Sequence, residues 1–145
     1  MIQLYEELVD ILEREFSLCA QLVTLLQKEK DVIVSLDPSA LEELLSEKEA
    51  VSSNIRICEE ARERLLDRLG FKNKTISQVA AVADEKYRDR LNGIASKFTS
   101  VIHSITELNK LNGKLIEKSL YYIKTSYNFL NSFGVSARQR VSMEA

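Results

Sequence analysis

Few residues of this chain are of types that do chemistry, and their spacing is poor for it. The one histidine, His103, sits between Ile102 and Ile105 in a helical pattern, with no Cys and no second His at metal-ligand spacing. That setting suits a packed or surface imidazole better than a zinc ligand or a general base. Carboxylates crowd at Glu42, Glu43, Glu47 and Glu49, but they alternate with lysine and read as a solvated face, not as an acid–base pair. Cys19 and Cys58 lie far apart, each inside an apolar helical pattern, and are expected to be two buried thiols. No H-E-x-x-H, P-loop, G-x-G-x-x-G or G-x-S-x-G occurs. Nucleophile, base and orienting group cannot be assembled, so no catalysis, cofactor or metal is expected.

What remains is the chemistry of recognition. Asn112 falls on a three-four ladder running through Phe98, Val101, Ile105 and Leu108 and resuming at Leu115. A buried amide without a partner costs about 1–3 kcal/mol, so Asn112 is expected to bond a facing helix in a polar layer that fixes register. Asn109 and Gly113 are assigned to the same layer, with Gly113 letting another backbone come close. Further on, Tyr121, Tyr122, Tyr127, Phe129 and Phe133 cluster with Ile123 and Leu130. Neighbouring residues on a helix point about 100° apart, so one stripe cannot bury them all. Some must face water unless another chain covers them, and Tyr and Phe are frequent anchors at interfaces.

Those residues need helices to hold them. With only 4 Gly and 1 Pro in 145 residues, the chain lacks the turns of a β-rich domain and suits a few long helices. A net charge of −2 provides no basic field for nucleic acid. No apolar run approaches the roughly 18 residues of a membrane span, and the amino terminus lacks a signal-peptide pattern. These features point to the cytoplasm.

The first helix is predicted over Ile2–Leu36. Leu4, Ile11, Leu18, Leu25 and Val32 recur every seventh residue, as do Tyr5, Leu12, Cys19, Leu26 and Ile33. So wide a stripe needs more than one neighbour. Asp37-Pro38 signals an N-cap and first helical residue, opening a second helix to about Leu69 whose ladder Lys48 and Arg62 interrupt. Gly70 ends it. Thr75-Ile76-Ser77-Gln78 fits a capping box for a short helix, and Asp84 offers a further N-cap for a long helix to about Phe133. The fold expected is all-α: an antiparallel bundle of three long helices with one short helix between the second and third. Residues 1–133 form its single domain, and 134–145, small and polar, a mobile tail.

The acidic opening and long first helix, the Asp37-Pro38 cap, the helix end Leu65-Leu66-Asp67-Arg68-Leu69-Gly70 and above all Leu108-Asn109-Lys110-Leu111-Asn112-Gly113-Lys114-Leu115-Ile116 followed by aromatics resemble the FlgN family. These are export chaperones of the bacterial flagellum. The resemblance implies a cytoplasmic protein that binds carboxy-terminal helical segments of hook-associated proteins of the FlgK and FlgL type. It would keep them from assembling early and bring them to the export apparatus. The family's carboxy-terminal region carries client binding and docking to the export gate, which here points to Tyr121, Tyr122, Ile123, Tyr127, Phe129, Leu130, Phe133, Arg138 and Arg140. A monomer or weak homodimer is expected. The alternative is a structural helical bundle that uses the same aromatics to self-associate.

Overall fold

The computed structural model describes the backbone of residues 2–144 and the side chains of residues 2–133. The described residues form four α-helices: α1 (Ile2–Ser35), α2 (Pro38–Arg68), α3 (Ile76–Val82) and α4 (Glu85–Glu144). No strand occurs among the described residues.

Local chemistry sets the junctions. Asp37 caps α2, its side chain accepting from the N–H groups of Ser39 and Ala40, with Pro38 at the first helical position. At the other end Gly70 takes φ +80°, while its N–H reaches the Asp67 carbonyl and that of Phe71 the Leu66 carbonyl. This is a Schellman closure, which needs a left-handed residue where glycine stands. Thr75 and Gln78 form the capping box of α3, each side chain bonding the other's backbone N–H. Asp84 precedes α4, its carbonyl accepting from the N–H groups of Tyr87 and Arg88.

The chain runs up, down and up again. On α2, partners fall in number as those on α1 rise: Glu15 with Arg62, Glu29 with Lys48. On α4 they rise together: Tyr5 stacks on Tyr87, Phe16 meets Phe98 edge-on, and Glu29 bonds Asn112. Hence α1 is antiparallel to α2 and parallel to α4. Three long helices joined at alternate ends leave the third running with the first.

Both α2 and α4 pack on α1, and α3 packs on α4, but among the described residues α2 and α4 make no close backbone approach. The double heptad of α1 explains this. Its central ladder, Tyr5, Leu8, Leu12, Glu15, Cys19, Leu26, Glu29 and Ile33, is buried, and the flanking Leu4, Ile11, Leu18, Leu25 and Val32 are half-buried. At the base, Leu65, Leu66 and Leu69 of the α2 end join Val79, Ala80 and Ala83 around α3 and Tyr87, Leu91 and Ile94 of α4 in one core with Tyr5 to Leu12. That cluster is the main site of apolar burial.

Candidate functional site

Two polar layers interrupt the apolar seam. In the upper one, Asn112 is 1% exposed, and its Nδ2 donates to the Leu26 carbonyl at 2.8 Å and to Glu29 Oε1 at 2.9 Å. Glu29 Oε2 accepts from Lys48 Nζ at 2.6 Å, so one carboxylate ties together all three long helices. Asn112 is thus buried and bonded to the facing helix α1. Two assignments made alongside it need correction. Asn109 is exposed, because it stands beside the ladder, whose place at that turn belongs to the half-buried Leu108. Gly113 is exposed too, and a Cβ there would meet nothing within 4 Å; it lies about 100° around from Asn112 and points away from α1.

The lower layer pairs Glu15 with Arg62, whose Nη1 donates to both carboxylate oxygens at 2.6 and 2.8 Å. Burial pushes the Glu15 carboxyl above its usual range, Glu59 adds to this, and Arg62 opposes it. Neither Glu15 nor Glu29 stood out in the sequence, yet a signal existed. They occupy the ladder that also carries Leu8 and Leu22, two heptads apart, and Lys48 and Arg62 are two heptads apart on α2. Between the layers Cys19 and Cys58 are buried free thiols. Burial, then Glu15 and Glu59, push the Cys19 thiol up to about 11, which suits a packing group and not a nucleophile. His103 is exposed on α4.

Above the upper layer the molecule changes character. Judged from the Glu29–Asn112 contact, α1 ends near the level of Lys118, whereas α4 continues. Its 60 residues make a helix about 90 Å long. The helix passes Phe133 without a break, and the side chains beyond it, including Arg138 and Arg140, lie outside the described residues. All the other aromatic-region candidates are exposed: Tyr121, Tyr122, Ile123, Tyr127, Phe129, Leu130 and Phe133, with Tyr122 at 66% and Phe129 at 62%. Phe129 and Phe133 contact each other, ring centres 4.9 Å apart. Exposed apolar surface of this kind is common where proteins meet partners.

Where α4 leaves the corner between α1 and α2, a cleft of about 230 Å³ opens. Val32, Ile33, Leu36, Pro38 and Leu41 line it from the corner, and Ile116, Leu120 and Ile123 from α4. Leu36 holds φ +54°, a conformation usual for Gly or Asn and uncommon for a branched apolar residue. Its side chain, half exposed, is one wall of the cleft. A larger cleft of about 790 Å³ between α2, residues 72–76 and α4 is ringed by charges of both signs, such as Glu63, Asp67, Lys72 and Lys74. Of the two, the corner cleft is the apolar one.

The chain matches the family model described as FlgN protein over residues 1–136, a span that includes both polar layers and the exposed aromatic stretch. The chain belongs to the FlgN family. FlgN proteins are chaperones of flagellar export, and the family is not one of enzymes. No curated protein and no solved structure matches the chain. Among the described residues, no helix is long and apolar enough to cross a membrane, and no cluster of His, Cys, Asp and Glu could hold a metal ion.

Proposed function

We propose that this FlgN chain is a cytoplasmic chaperone that covers the carboxy-terminal helical segments of hook-associated proteins of the FlgK and FlgL type and brings them to the export apparatus. In this reading residues 1–133 act as one domain of three long helices, with 134–145 as its carboxy-terminal tail at the end of α4. The observation that carries the reading is the projecting part of α4, where seven large apolar residues from Tyr121 to Phe133 stand exposed on a helix that has outrun its partners. A client segment with an apolar face would lie along it, as amphipathic helices do in grooves, and would be prevented from polymerising while it stayed there. No bond is made or broken, so release needs only a finite off-rate. Tyr121 and Tyr122, the most exposed of the set, serve as candidate contacts for the export gate.

Purified FlgK- and FlgL-type proteins of the same bacterium, passed over immobilised chain, test this. Retention that drops about tenfold for Tyr122→Ala/Phe129→Ala, a loss near 1.4 kcal/mol, is the expected result. The same exposed surface also supports the second reading, a self-associating structural bundle. Failure to retain either client, with light scattering showing a stable dimer, would favour that one instead.

A further inference from the structure

The projecting part of α4 carries not one apolar seam but two. Leu115, Ser119, Tyr122, Ser126, Phe129 and Phe133 continue the steps of four and three by which Val101, Ile105, Leu108 and Asn112 face α1. Ile116, Leu120, Ile123, Tyr127 and Leu130 make a second ladder, one residue further on, which starts inside the corner cleft. The two lie roughly 100° apart around the helix. Neither contains a charged residue; Glu117, Lys118 and Lys124 fall on the remaining side. The same molecule shows what adjoining ladders require. Helix α1 has them over its whole length, and it is covered by two helices, one antiparallel and one parallel.

From this continuity with the α1–α4 seam we propose that the projecting α4 takes two client helices at once, one on each ladder, completing a three-helix bundle above the corner. The helix on the Tyr122–Phe129–Phe133 ladder occupies the line that a longer α1 would have followed. The helix on the Leu120–Ile123–Leu130 ladder ends against Leu36, Pro38 and Leu41 in the cleft. The client segment this fits is a pair of amphipathic helices from one polypeptide, each with an apolar face of heptad spacing. A single helix would leave about half of the exposed apolar surface in water, including either Phe129 and Phe133 or Ile123 and Leu130.

The inference rests on the chaperone reading, and the test separates the two. Full-length chain, Ile123→Glu/Leu130→Glu and Tyr122→Glu/Phe129→Glu are titrated calorimetrically with purified FlgK- and FlgL-type proteins. All six side-chain positions altered or compared here are on the open part of α4, so circular dichroism should show unchanged helix. Each double variant is expected to bind at least about tenfold more weakly than the unaltered chain. Photo-cross-linkers placed at Tyr127 and at Phe133 should attach to two different helices of the same client. Binding by the unaltered chain with one double variant unaffected, or both cross-links on one helix, would overturn the two-helix arrangement while leaving the chaperone reading intact. No binding by the unaltered chain removes the chaperone reading and the inference together. A stable dimer of the unaltered chain that both variants dissolve makes a second copy the occupant, and likewise overturns it.

Discussion

Glu15 and Arg62 show how a polar pair can cost more to break than to replace. The Glu15 carboxylate is almost fully enclosed, and Arg62 keeps about a quarter of its side chain in solvent (24%). Removing the arginine strands a buried charge, and removing the acid leaves a guanidinium that can still reach water. Arg62→Leu should therefore cost about 3 kcal/mol, Glu15→Leu clearly less, and the double substitution should recover most of the loss, since apolar packing often matches a buried pair. Urea melts of the three variants check this. The pair also has a pH signature. Because the folded carboxyl titrates above its ordinary value, the folded chain holds more protons than the unfolded chain between the two values. Stability contributed by Glu15 is thus fully present below the unfolded pKa, falls as pH rises through the folded one, and is flat above. In Glu15→Gln that downward slope should vanish.

At the scale of elements, the two ends of α2 make opposite use of a left-handed residue. Gly70 is there because the Schellman closure asks for it, whereas Leu36 takes the same region of conformational space with a side chain that resists it. Leu36→Asn should relieve that resistance and raise stability by about 1 kcal/mol, read from a thermal or urea melt. It should also weaken client binding several-fold, because it removes a wall of the corner cleft. A variant that binds as well as the unaltered chain would show Leu36 to be without a part in recognition. Much of this level could be read in the sequence. Asp37, Gly70, Thr75 and Gln78 announce their junctions because caps are local, made by residues two to five positions apart. Asn112 could be read because it breaks an otherwise apolar ladder. Glu15 and Glu29 also stand on a ladder but are easily passed over, since an acid looks like surface until the helix that neutralises it is in place. The strain at Leu36 left no local mark, for nothing in Val34-Ser35-Leu36-Asp37 is a turn signal of that kind. Nor does the spacing within any one helix reveal that α2 and α4 stay apart.

For the whole molecule, that separation makes α1 the shared partner. Backbone packing of α2 and of α4 goes through it, and the two share side-chain burial in the base core, so above that core either can loosen while the other stays docked. Native-state hydrogen exchange should find the strongest protection in α1, with α2 and α4 opening independently above the base core and the projecting end of α4 exchanging fastest. Leu91→Ala, a truncation at a fully buried α4 position, should speed exchange in α3 and α4 more than in α2. A common rate across all three long helices would contradict this. The bonds of α1 carry one more consequence. Those to α2 are nested about the Leu36 corner: Glu29 and Lys48 are 19 residues apart, Glu15 and Arg62 47. Those to α4 all span nearly the same stretch, 81 residues for Tyr87 with Glu6 and 83 for Asn112 with Glu29. The entropy of closing a loop grows with its length. Each α1–α2 contact therefore shortens the loop left to the next, and the hairpin can zip outward from its corner one turn at a time. Helix α4 has no short loop of its own to α1, but once α2 has docked only residues 70–86 remain to be closed; its first contact bears that cost, and every later one comes almost free of it.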